Sequence, residues 1–230
     1  MLPDTLAQAP SFSLVYADDA IIVLNKPSGL LSVPGRGPDK QDCLSCRVQN
    51  QFSDALVVHR LDMATSGLMV MARGAAVQRA LSETFANRLV SKRYVAIVTG
   101  QVMAPKDSWR VVDLPIGVDW PNRPLRVIDT LDGKPSLTRV QLIHFDKWHN
   151  VSHLILEPLT GRTHQLRLHL QAIGHPILGD ALYADATVAN ASARLLLHAC
   201  ELGFAHPMNG QPLHFSLERL KYPGEPHTKR

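Results

Sequence analysis

The 230-residue chain has little with which to staple or anchor itself. It holds three cysteines, Cys43, Cys46 and Cys200, an odd count that makes a poor disulfide framework and fits a reducing compartment. Cys43 and Cys46 form a C-x-x-C, but no second ligand pair follows at zinc spacing. The reading is therefore of core cysteines on a short helix. No run approaches the ~18–20 apolar residues of a membrane span. Met1 to Pro10 lacks the basic end and apolar stretch of a signal peptide, so a cytoplasmic protein is expected. Neither G-x-G-x-x-G nor G-x₄-G-K-[ST] occurs, so nothing points to a dinucleotide or nucleoside triphosphate cofactor. A chain of this length can bury roughly 70% of its unfolded surface, so folding needs neither disulfides nor a metal.

What is present is a mild positive charge, +4, that permits an anionic partner without establishing one. The cations gather in islands: Arg60; Arg88 with Lys92 and Arg93; Arg162 with Arg167; and the tail Lys229–Arg230. Residues 1–11 read as a loose N-terminus, 12–220 as one domain and 221–230 as a tail. Ala20 to Leu24 and Gly67 to Ala72 are apolar at every position, as strands buried on both faces are. Val77, Leu81, Phe85 and Leu89 step by four along a helix face, and a second helix is predicted over 163–173, ending at Gly174. Asp42 is placed to cap a short helix reaching Asn50. Further strands are predicted at 12–16, 93–99, 137–145, 151–157, 194–203 and 212–216, with small ones at 111–112 and 127–128. Strands outnumber helices and do not alternate with them regularly. The fold class is α+β, with a mixed, mainly antiparallel sheet flanked by helices.

The segment richest in chemistry is His59-Arg60-Leu61-Asp62-Met63-Ala64-Thr65-Ser66-Gly67, a dense polar stretch feeding directly into a buried strand. Spacing alone is equally met by a hydrogen-bonded loop with an Arg–Asp surface pair. His164 and His169 form an H-x₄-H, but no H-E-x-x-H glutamate accompanies them and Glu157 is the only acid nearby, so no metal site is expected.

This segment closely resembles the HRLD signature of the RluA-type pseudouridine synthases. Asn25-Lys26-Pro27-Ser28-Gly29-Leu30 is similar to the NKPxGL segment of that family, and Ser91-Lys92-Arg93-Tyr94-Val95-Ala96 to its tyrosine-bearing segment. Gly161-Arg162-Thr163-His164-Gln165-Leu166-Arg167 resembles the GRTHQLRxH signature, and 174–180 and 195–199 follow in family order. The resemblance covers roughly residues 14 to 216. Asp113 to Ile116, Asp119 to Pro124 and Met63-Ala64 narrow it to the short subgroup without an S4 RNA-binding domain. One departure is Leu125-Arg126-Val127-Ile128, where a more lysine- and glutamine-rich stretch is expected.

The resemblance implies a pseudouridine synthase fold of two lobes with an RNA-binding cleft between them, and a cofactor-free isomerase of uridine in RNA. Asp62 is then the catalytic carboxylate, Tyr94 stacks on the target uracil, and Arg162 pairs with Asp62 and keeps it ionised. Arg60 fills the gap left by a flipped base, with His59 and Thr65 bonding nearby backbone. Lys26, Lys92 and Arg167 are expected at phosphates, and His164 and Gln165 join the RNA-contacting set. The implied partners are stem-loops of 23S rRNA and tRNA anticodon arms, met by a monomer. A non-catalytic RNA-binding or RNA-folding module on the same scaffold is the alternative. Retention of Asp62, Tyr94 and Arg162 together argues against it.

Overall fold

The structure, a computed structural model, describes residues 12–103, 108–218 and 220. The expected loose N-terminus and C-terminal tail lie outside the described residues. In chain order the elements are β1 (Ser13–Ala17), β2 (Ile21–Lys26), α1 (Leu44–Gln49), β3 (Ala55–Val57), β4 (Ser66–Arg73), α2 (Ala75–Ala86) and β5 (Ser91–Thr99). After them come β6 (Arg110–Asp113), β7 (Ile116–Val118), β8 (Arg126–Ile128), β9 (Leu137–Asp146), β10 (Val151–Pro158), α3 (Gln165–Ala172), α4 (Ala186–Asn190), β11 (Leu197–Ala205) and β12 (Pro212–Ser216).

Ten strands form one sheet in the order β1-β2-β4-β11-β5-β10-β9-β6, with β3 joined to β4 and β12 to β11. Every pairing in it is antiparallel except β4 with β11. Strands β7 and β8 make a separate hairpin. The α+β expectation holds, and the small strands expected around 111 and 127 exist in these two different settings.

The apolar strands are buried on both faces because two layers of helix and loop sandwich them. In β2, Ile21 and Val23 join a cluster with Val77 and Leu81 of α2, while Ile22 and Leu24 turn to a cluster with Leu44 and Val48 of α1. Strand β4 divides likewise, Leu68, Val70 and Ala72 to one side and Met69 and Met71 to the other. A third cluster fills the other half of the molecule, built from Ala96, Ile97 and Val98 of β5, Leu154 and Leu156 of β10, Leu166 and Leu170 of α3, and Leu195 to Leu197.

Three element ends differ from expectation for local reasons. Helix α2 stops at Ala86 because Arg88 takes φ 59° and the Leu89 amide bonds back to the Thr84 carbonyl, leaving Leu89 exposed. Helix α1 is capped by the backbone of Cys43; Asp42 instead makes a short ion pair with Arg47. Helix α3 begins at Gln165, two residues late, because His164 is left-handed. Gly174, at φ 86°, follows its C-cap as expected.

β4 and β11 meet where no side chain fits. A Cβ on Gly67, whose φ is 116°, would stand 2.5 Å from the Ala199 amide nitrogen. Glycine at this position lets the loop that carries Asp62 dock directly onto the parallel strand pair.

Candidate active site

A cleft of about 1130 Å³ opens across the middle of the sheet. One wall is the 59–65 loop; another is the end of α2 with the start of β5. The third is the end of β10 with the turn into α3. Asp62 and Tyr94 line it from the first two, and Arg162 and His164 from the third. Tyr94 packs against two of the three apolar clusters, so its ring sits where the halves of the molecule join.

The Asp62 loop is held by its backbone from end to end. The Leu61 amide donates to Ser32 Oγ (3.1 Å), whose hydroxyl returns a bond to the Leu61 carbonyl (2.7 Å). The Met63 carbonyl accepts from the Gly29 amide (2.8 Å) and from Lys26 Nζ (3.1 Å), and the Ala64 carbonyl accepts from Ser28 Oγ (2.7 Å). The Thr65 amide closes a turn onto the Asp62 carbonyl (3.1 Å). The turn at 26–32 thus clamps the carboxylate-bearing loop, while the Asp62 side chain is left a quarter exposed to the cleft.

Several residues expected at RNA lie elsewhere. Lys26 is fully buried, and its ammonium gives protons to the carbonyls of Pro27, Leu30 and Met63. Burial lowers its pKa to about 8, against the pull of the Asp62 charge. It is a clamp for the loop, not a phosphate contact. Arg167 is 4% exposed and makes a two-pronged ion pair with the buried Asp180 (Nε–Oδ2, 2.8 Å). Gln165 is likewise buried. Its Oε1 accepts from Thr160 Oγ1 (2.7 Å) and the Arg162 amide (3.0 Å), and its Nε2 donates to the Leu137 carbonyl (2.9 Å) and Thr138 Oγ1 (3.0 Å). Both residues lie at the cleft floor almost fully buried, with these polar atoms committed to protein partners. Thr65 is also buried.

His59 stacks on Phe85 with ring centroids 4.4 Å apart, and its Nε2 accepts the Val70 amide (3.0 Å). Burial, helped by Lys92, pushes its pKa down to about 3, so the ring is neutral. His164 and His169 do not converge as ligands. Both nitrogens of His169 are engaged, by Thr138 Oγ1 and the Leu114 carbonyl, each at 2.9 Å.

Asp62 is not paired with Arg162. The Arg162 guanidinium bonds only to the Pro135 carbonyl (Nε–O, 3.4 Å) and forms no ion pair with a described carboxylate. The basic group nearest in kind to a partner for Asp62 is His164, with Nε2 4.0 Å from Oδ1. His164 has a left-handed backbone (φ 58°), and its imidazole, not the Arg162 guanidinium, faces the carboxylate. Sequence spacing gave no sign of it, nor of Tyr183, whose hydroxyl meets His164 Nδ1 at 2.7 Å. Ser28 and Ser32, which hold the Asp62 loop, carry no sequence signal beyond their place within the resembling 25–30 segment and just after it.

The field in the cleft is positive. Arg60, Arg88, Lys92 and Arg162 line it without a carboxylate partner among the described residues, whereas Arg93 is neutralised by Glu157 (2.9 Å) and Glu201 (3.4 Å). Burial lowers the Lys92 pKa. Burial and the Asp62 charge push the Tyr94 phenol well above its usual value, so it stays protonated and presents an aromatic face. A deep cleft with one carboxylate, Asp62, not committed to an arginine, a neutral aromatic platform and an excess of cations suits a base drawn from an anionic polymer.

Residues 20–172 match the family model for RNA pseudouridylate synthase, and the chain belongs to that family. Within it, the similarity is to the RluA type. The chain is 45% identical to the dual-specificity RNA pseudouridine synthase RluA of Escherichia coli K12 over 208 residues, covering 90% of this chain and 93% of that one. It is 46% identical to RluA of Yersinia pestis, covering 89% and 98%, and 48% identical to that of Vibrio vulnificus, covering 86% and 79%. Among solved structures, human RNA pseudouridylate synthase domain containing 1 superposes with a TM-score of 0.75 at 28% identity, covering 90% of this chain and 83% of that one.

Proposed function

We propose that the protein converts uridine to pseudouridine in stem-loops of both 23S rRNA and tRNA anticodon arms, using Asp62 as the nucleophile. The position of the Asp62 carboxylate carries this reading: it is held by its backbone, open to a cationic cleft, and close enough to Tyr94 to raise the phenol pKa. The reaction breaks the N1–C1′ bond, rotates the uracil, and forms a C5–C1′ bond. The proton leaves C5 and N1 gains one, so no redox partner is needed. A stacked uridine cannot reach this depth, and flipping it out costs a few kcal/mol, least for a loop base. Arg60, exposed at the mouth, is suited to fill the gap, and Tyr94 to receive the base on its ring face. Arg162, anchored only at 3.4 Å, supplies a cation from the facing wall once RNA fills the cleft. The protein works as a monomer in the cytoplasm. No helix among the described residues is long and apolar enough to cross a membrane.

The test uses rRNA and tRNA stem-loop transcripts tritiated at uridine C5. Formation of the new bond expels tritium, so release by wild type that vanishes in Asp62→Asn, with RNA binding retained, is the expected result. Equal release by both proteins sinks the nucleophile assignment. Release from only one class of transcript removes the dual specificity and leaves the reaction.

A further inference from the structure

His164 is one of three described non-glycine residues with positive φ, here 58°. Such a backbone is costly and persists where surrounding contacts over-determine it. Those contacts form a chain. The Tyr183 oxygen accepts the Arg126 amide proton (2.9 Å), so its single hydroxyl proton is available to His164 Nδ1 at 2.7 Å. A neutral imidazole that accepts at Nδ1 carries its own proton on Nε2, the nitrogen facing Asp62. Tyr183 is itself fixed from behind. The Asp180 carboxylate accepts the amides of Leu182 (2.9 Å) and Tyr183 (3.1 Å) while pairing with Arg167, whose guanidinium lies 5.2 Å from the Tyr183 ring centre. The charged groups facing His164 are Asp62 and Asp180 on one side of the balance and Arg167 and Arg126 on the other. Burial outweighs them and lowers its pKa, which keeps the ring neutral at pH 7.

We propose that His164 is a positioning residue for the isomerisation, with its Nε2–H, fixed in that tautomer by Tyr183, steering the Asp62 carboxylate. The inference rests on the reading of Asp62 as nucleophile. At 4.0 Å the contact is longer than a hydrogen bond, as catalytic contacts commonly are before bound substrate tightens them. The buried Arg167–Asp180 pair then serves the reaction at one remove, by holding the tyrosine that sets the histidine.

The test compares His164→Gln with His164→Asn. Glutamine places an N–H near the Nε2 position; asparagine stops short of Asp62 but tolerates positive φ better. A purely structural role for His164 therefore favours asparagine, and a positioning role favours glutamine. Expected single-turnover tritium release is about ten- to a hundredfold slower in Asn and largely restored in Gln, with RNA affinity close to wild type in both. Histidine ¹⁵N spectra should show the Nε2–H tautomer at His164 and its loss in Tyr183→Phe. Asn turning over as fast as Gln, or an Nδ1–H tautomer in wild type, overturns the proposal. Asp62→Asn is run in parallel: activity there removes the nucleophile reading itself, whereas an inactive Asp62→Asn beside a wild-type His164→Asn removes only the positioning role.

Discussion

Gln165→Ala separates a structural wedge from an RNA contact. The amide makes four hydrogen bonds, but their loss is unequal. The Leu137 carbonyl keeps the Leu159 amide (3.0 Å), and Thr138 Oγ1 keeps His169 Nδ1 (2.9 Å). The Arg162 amide and the Thr160 hydroxyl proton have no such second partner and are left unsatisfied. Each buried orphan costs about 1–3 kcal/mol, so the variant loses roughly 2–6 kcal/mol. In a chain of this size that lowers the melting temperature by about 2–4 °C per kcal/mol, or roughly 4–24 °C. Differential scanning calorimetry reads this directly, and single-turnover tritium release at 20 °C shows whether the Arg162 wall has moved. A melting temperature within 2 °C of wild type, together with weakened RNA binding, would refute the wedge and reinstate the RNA contact.

Arg167→Met strands the Asp180 carboxylate in the interior and should destabilise by about 3–5 kcal/mol in urea titration. A small loss of stability with a flatter salt dependence of RNA binding would show that Arg167 reaches phosphate after all. Gly67→Ala forces a Cβ against the Ala199 backbone at φ 116°, and circular dichroism should show an unfolded or strongly destabilised chain; a wild-type melting curve would contradict the close approach of β4 and β11. His59 and His198, with pKa values lowered by burial to about 3 and about 4, are neutral in the native state. The unfolded chain therefore binds more protons below pH 6.5. Stability, complete above that pH, falls by up to about 1.4 kcal/mol per pH unit for each ring down to pH 4. Equal urea midpoints at pH 7 and pH 5 would rule this out. Lys92→Ala should weaken all RNA substrates alike and reduce the slope of log affinity against log salt by about one, whereas a change confined to one transcript would make Lys92 a sequence-reading residue.

Some of this was legible in the chain alone. Ala20 to Leu24 and Gly67 to Ala72 announced strands covered on both faces because apolarity without alternation leaves no solvent side. Asp62, Tyr94 and Arg162, which the family motifs named together, line one cleft. Polarity misled where the partner lay in another segment. Lys26, Gln165 and Arg167 were expected at RNA, yet each is buried. Lys26 meets the Met63 carbonyl, Gln165 the edge of β9, and Arg167 the Asp180 carboxylate. A charged side chain enters the interior only with such partners, and sequence does not show which will be near. The neighbour of Asp62 was also decided in three dimensions. His164, left-handed at the head of α3, and not Arg162, faces the carboxylate. Local pattern thus determined the main strands and the longer helices, and the family motifs named Asp62, Tyr94 and Arg162. The tertiary fold decided the pairings, because hydrogen bonds and charges act over a few ångströms that only the closed chain defines.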